Sequence, residues 1–133
     1  MRTRLIALVF SASLAIIAAG GAGAASSLPS QSTAQGGVAV QATPRDLGGN
    51  AWEFDLAFNT HSGSLTDDPA KETVLIADGA THRPIGWQGD PPGGHHRKGV
   101  LRFKPISPRP QAVELKIQRP GESASRSFRW QLN

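Results

Sequence analysis

The sequence predicts an all-β protein, an immunoglobulin-like antiparallel β-sandwich of about seven strands that follows an N-terminal signal segment. Three observations predict it. Apolar and polar residues alternate, most clearly at Trp52, Phe54, Leu56 and Phe58, where a period of two puts three aromatics on one face of a strand. Clusters of Gly, Pro, Asn and Asp recur between such runs and mark turns. No segment of the domain shows helical periodicity.

The chain has 133 residues, and the first 25 have the three parts of an export signal. Arg2 and Arg4 form a basic start, and residues 5–19 are apolar apart from Ser11 and Ser13. Small residues follow, and Ala22 and Ala24 fit the small-x-small rule, which places the cut after Ala24 or Ala25. Residues 5–25 are also just long enough to span a bilayer, so an uncleaved membrane anchor is the alternative. The glycine-rich end is poor helix and favours cleavage. Residues 26–36 are small, polar and uncharged, and read as a flexible linker. Residues 37–133 form the expected domain.

Within it, Val38, Val40 and Ala42 alternate until Pro44 stops the run, and residues 46–50 are turn chemistry. Residues 51–59 are the clearest strand. Residues 60–71 form an irregular crossing whose Leu65 is the only large apolar residue, and Asp67-Asp68 reads there as a solvated turn. Residues 73–77 are a short buried strand, and Asp78-Gly79 a hairpin turn. Residues 80–87 return along an edge, because Pro84 cannot donate to a ladder. A loop over residues 88–98 leads to a strand at 99–104 with Leu101 and Phe103 on one side. Val113, Leu115 and Ile117 alternate next, Pro120-Gly121 turns the chain, and Phe128, Trp130 and Leu132 make the last strand.

Cysteine is absent, so disulfides, thiolate ligands and cysteine nucleophiles are excluded, and the apolar core alone must hold the domain. Lys and Arg total 14 against 10 Asp and Glu, and without Arg2 and Arg4 the excess falls to two. These cations are spread along the strands, which argues against a nucleic-acid partner.

The chemistry-bearing stretch is Pro91-Pro92-Gly93-Gly94-His95-His96-Arg97-Lys98, a turn that presents two of the four histidines. His61, His95 and His96 are the candidate metal ligands, for copper or zinc, with Asp55 or Asp90 able to complete a shell. Trp87, Arg97 and Asp90 are the candidate binding residues at the loop's mouth. The structural alternative is that the histidines pin the two long loops to each other. With cysteine absent and Met1 the only methionine, a blue-copper centre is excluded. Thr60-His61-Ser62 sets a hydroxyl beside a base, yet no nucleophile elbow accompanies it. Asp67-Asp68 lacks the alternating oxygens of a calcium loop.

Phe58-Asn59-Thr60-His61-Ser62, Pro84-Ile85-Gly86-Trp87, Gly93-Gly94-His95-His96-Arg97 and Phe128-Arg129-Trp130 resemble a group of uncharacterised exported bacterial β-sandwich proteins. These have a strand ending in Thr-His-Ser, a Gly-Gly-His-His-Arg loop and an aromatic C-terminal strand. The resemblance runs over residues 38–132 and implies that His61 and the His95-His96-Arg97 loop meet in space. The resemblance implies no activity; the residues lead us to expect a periplasmic or secreted, non-enzymatic binding or scaffold protein of unknown ligand, its partner an unknown protein or a metal ion. The alternative is a periplasmic copper- or zinc-binding protein.

Overall fold

Alternation in the sequence becomes two layers in space. The computed structural model describes residues 28–132, and the expected export signal lies outside them. Nine strands and one helical turn follow in the order β1 (Gln31–Gln35), β2 (Val38–Asp46), β3 (Trp52–Thr60), α1 (Pro69–Glu72), β4 (Thr73–Ala77), β5 (Ala80–His82), β6 (Gly86–Gly89), β7 (His96–Phe103), β8 (Ala112–Ile117) and β9 (Arg126–Gln131). One sheet has the order β1-β2-β3-β7-β6 and the other β5-β4-β8-β9, with every pair antiparallel. Reading β2, β3 and β4 as strands A, B and C, β5 as C′, and β6 to β9 as D to G gives sheets A-B-E-D and C′-C-F-G. That is immunoglobulin connectivity, with β1 added beside A.

The inward rows are those the alternation marks. Phe54, Leu56, Phe58, Leu101 and Phe103 from one sheet meet Leu75, Val113, Leu115, Ile117 and Phe128 from the other, all nearly inaccessible to water. Phe54 packs edge-on against Phe103 at 5.7 Å and beside Trp130 at 5.6 Å. Offset and edge-on aromatic contacts of this kind add to the stabilisation from burial.

Several expectations need correcting. Residues 26–36 are not all linker, because Gln31–Gln35 pairs along its whole length with β2. The strand is invisible to hydrophobic patterning because it has no large apolar residue. Residues 80–87 are not one return strand. Pro84 lies where the chain leaves the four-stranded sheet after β5 and enters the five-stranded sheet at β6. These two changes raise the strand count from about seven to nine. Pro44 does not end β2, which runs on to Asp46 through an irregular register. β1 reaches only Ala42, so the missing N–H of Pro44 lies where β2 has no β1 neighbour. The loop at 88–98 is shorter, since β6 extends to Gly89 and β7 begins at His96.

Both open sides of the sandwich are closed. On one side the chain itself crosses between the sheets at Pro84. On the other, side chains stitch β1 to β9 across the gap. The Gln31 amide donates to the Arg129 carbonyl and accepts the Arg129 N–H, imitating one rung of a ladder. The Trp130 indole donates to Pro29 O at 2.7 Å. Arg126, with its side chain 1% exposed, donates to the carbonyls of Thr33, Gln35 and Val38 and to the Glu122 carboxylate. Unpaired strand edges invite pairing with other chains, and these contacts occupy them.

Two substitutions test this packing. Arg126→Ala leaves the buried Glu122 carboxylate with Arg119 alone and three carbonyls unpaired, and is expected to lower unfolding free energy by about 3–5 kcal/mol in a urea titration, with Arg126→Lys recovering only part. Gly99→Ala is expected to fail more sharply, because a Cβ there would lie 2.6 Å from both Gly89 Cα and Trp87 Cζ2. Backbone and a wedged indole cannot both yield, so reduced soluble yield and a lower melting temperature are the readouts.

Candidate functional site

The crossing segment and the His-rich loop meet at one end of the sandwich, and backbone bonds join them. Thr60 N–H donates to His95 O at 2.9 Å, Leu65 N–H to Gly94 O at 3.0 Å, and Gly93 N–H to Leu65 O at 2.8 Å. Gly93 and Gly94 take φ of 117° and 72°, which lets the loop fold back without a Cβ clash. The two loops are thus docked, though by main chain rather than by imidazoles.

His61, His95 and His96 are all exposed. His96 Nδ1 lies 2.6 Å from Asn59 Oδ1, its cross-strand neighbour, so the ring N–H donates to that amide oxygen. His61 stands beyond the end of β3, beside the β1–β2 turn. Among the described residues no three His, Asp or Glu side chains converge to hold a metal ion. In Thr60-His61-Ser62 the Thr60 hydroxyl is directed at the carbonyls of Gly37 (3.1 Å) and Ser62 (2.7 Å) and accepts the Ser62 N–H, so it fastens a turn.

Trp87, Arg97 and Asp90 do come together. Arg97 is only 3% exposed, at an inward position of β7. Its guanidinium donates to Leu65 O, to Asp67 O at 2.6 Å and to Asp90 O at 3.2 Å. It lies 5.9 Å from the Trp87 ring, which packs edge-on against Phe58. Among the described residues no carboxylate pairs with this buried cation; carbonyl dipoles and the ring face support it instead. Arg97 therefore anchors the loops from inside and presents nothing to solvent. Asp90 remains exposed. Its N–H donates to Lys98 O and its carboxylate accepts the Lys98 N–H, both at 3.0 Å.

Asp67 is not a solvated turn residue. At 3% exposure it takes two bonds from Arg119, which also donates to Glu122, and Glu122 in turn binds Arg126. None of Arg119, Glu122 and Arg126 stands out as a site residue in the sequence. The available signal was parity, since Arg126 shares its strand face with Phe128 and Trp130.

The surface left open at this end is the outer face of the five-stranded sheet. A depression of about 400 Å³ lies there, walled by Gln41, Thr43, Asp55, Lys98 and Asp90. Ala57 forms its low centre, between Gln41 and Lys98 in register. Arg45 crosses the rim toward Glu53 and Asp55. A second depression of about 390 Å³ on the same face is lined by Ala34, Ala39, Asn59 and His61.

The buried charges carry a pH signature. Hydrogen bonds from Arg126 hold the Glu122 carboxyl below its ordinary 4.5, against the opposing effect of burial. Its stabilisation is fully present above about pH 4.5 and is lost as pH falls through the lowered value. Glu122→Gln is expected to melt roughly 5–15 °C lower at neutral pH, with the gap closing in acid. Burial pushes the Glu72 carboxyl up, so Glu72→Gln has the opposite sign and gains stability relative to the parent above about pH 4.5.

No family model matches the chain, and no curated protein does either. Among solved structures, the crystal structure of MPT63, a secreted protein from Mycobacterium tuberculosis, is similar at a TM-score of 0.45 and 19% identity. The match covers 78% of this chain and 92% of that one.

Proposed function

We propose that the protein is an exported, non-enzymatic β-sandwich that binds an extended segment of a protein partner along the outer face of its five-stranded sheet. The observation that carries this reading is the pair of depressions on that face, floored by Ala39 and Ala57 and walled by side chains that both donate and accept hydrogen bonds. An extended peptide presents matching donors and acceptors along its length. Lys98 and Arg45 beside Asp55 and Asp90 suit a polar segment carrying both signs of charge. The His-rich loop contributes as a wall, through Asp90 and Lys98.

Export rests on the charged-apolar-small order of the first 25 residues and on the resemblance to exported proteins with Thr-His-Ser and Gly-Gly-His-His-Arg motifs. The destination is periplasmic or secreted. Against catalysis stands the use of the Thr60 hydroxyl as a turn fastener beside an exposed His61. The competing reading, copper or zinc held by His61, His95 and His96, requires imidazoles that converge on one ion. The contact of His96 with Asn59 counts against it.

The test is amide-shift mapping of the isotope-labelled chain with extended peptides of mixed charge, alongside calorimetric titration with Cu(II) and Zn(II). The expected result is saturable shifts at Gln41, Ala57 and Lys98 that vanish in Ala57→Trp while its melting temperature holds. Saturable metal binding lost in a His61→Ala, His95→Ala, His96→Ala variant, with no peptide shifts, would replace this reading with the metal one.

A further inference from the structure

The two depressions on the five-stranded sheet are lined by different chemistry. The first has Arg45, Asp55, Asp90 and Lys98 in its walls. The second, of about 390 Å³, has no Asp, Glu, Lys or Arg in its lining. Strand register explains the contrast. One row across the sheet runs Ser32, Gln41, Ala57 and Lys98, and the next runs Ala34, Ala39, Asn59 and His96. The second row thus offers two methyl groups, then an amide and an imidazole.

That pair has a defined polarity. His96 Nδ1 lies 2.6 Å from Asn59 Oδ1, and because that oxygen can only accept, the imidazole N–H points at it. In the neutral ring the other nitrogen, Nε2, is then an acceptor, while Asn59 Nδ2 remains a donor. Both residues are exposed, and among the described residues neither of these two atoms has a protein partner. A carboxylate placed here would meet the lone pair of Nε2, and an ammonium would meet the N–H groups of Asn59. A carboxamide both donates and accepts, and so suits both atoms.

Spacing ties the two depressions to one ligand. Ala57 and Asn59 are two residues apart on β3, about 6.5 Å, and side chains i and i+2 of an extended segment repeat at the same interval. We propose, resting on the peptide reading above, that the second depression takes the carboxamide side chain of a Gln or Asn in the partner segment, two residues from a charged residue seated over Ala57. The stem of that side chain lies on Ala34 and Ala39, and its amide reaches Asn59 Nδ2 and His96 Nε2. The first depression then selects for charge and the second for a neutral amide.

The test is amide-shift mapping of the isotope-labelled full chain with mixed-charge peptides that differ at one position, Gln, Glu, Lys or Leu, two residues from a charged one. The Gln peptide is expected to add Ala39, Asn59 and His96 to the shifts at Gln41, Ala57 and Lys98, and to bind roughly tenfold tighter than the other three. His96→Ala is expected to erase that preference while leaving the Leu peptide within about twofold. Asn59→Asp, which exchanges the donor for a carboxylate, is expected to move the preference from Gln to Lys. Both side chains are exposed, so each variant is expected to keep its melting temperature. Equal binding of all four peptides, with shifts confined to Gln41, Ala57 and Lys98, overturns the amide subsite and leaves the peptide reading standing. Absence of shifts with every peptide overturns both, and so do shifts at Asn59 and His96 with maltohexaose alone.

Discussion

One chain of buried polar contacts holds an end of this sandwich shut, and the loops there have their shape because of it. It runs from the Asp90 carbonyl through Arg97 to Asp67, then through Arg119 and Glu122 to Arg126 and the carbonyls of β1 and β2. Asp67 is its hinge. Its carbonyl serves the guanidinium from the five-stranded sheet, and its carboxylate serves the one that follows β8. Charges removed from water are costly unless each is paired and hydrogen-bonded. Here Arg119 and Arg126 face carboxylates, whereas Arg97 relies on carbonyl dipoles and an indole face. The arrangement is directional and tolerates few alternatives, which suits loops rich in glycine and proline that have little side-chain packing of their own.

The same contacts explain how a domain without disulfides keeps its sheets in register. Apolar packing holds the layers together but is indifferent to small slides of one across the other. The bonds from Arg126 and Gln31 are specific to position, tying β9 to particular carbonyls of β1 and β2. With Pro84 marking a covalent crossing on the other flank, both sides of the sandwich are fixed. That leaves the two outer faces as the surfaces free for recognition, and they differ in character. One is small-floored and balanced in charge; the other sets Glu72 and Glu114 among Lys71, Lys116 and Arg129.

Much of the fold was legible in the alternation, because a strand with one face in the core must repeat every second residue. Trp52 to Phe58, Leu101 with Phe103, Val113 to Ile117 and Phe128 to Leu132 all declare their faces this way. β1 was not legible, since a strand held by backbone pairing and side-chain amides leaves no apolar trace. Arg97 and Arg126 were legible only by parity. Each occupies an inward position on its strand, yet a cation at a strand's start ordinarily reads as solvated. The docking of the two loops was expected from the histidines, but it is made by the backbone of Thr60, Leu65, Gly93 and Gly94 and the carbonyl of His95, whose hydrogen bonds residue types do not encode.

The stitching of β1 to β9 also decides which way the domain faces. Because Gln31 sits beside Arg129 while Gln35 sits beside Arg126, the two strands run in opposite senses, and residue 28 emerges near residue 132. Both ends of the domain thus leave from one pole, and the docked loops with His61 and His95 occupy the other. A tether at either terminus would hold the molecule like a bulb on its stem, with the loop pole outermost and both sheet faces standing upright and accessible from the side.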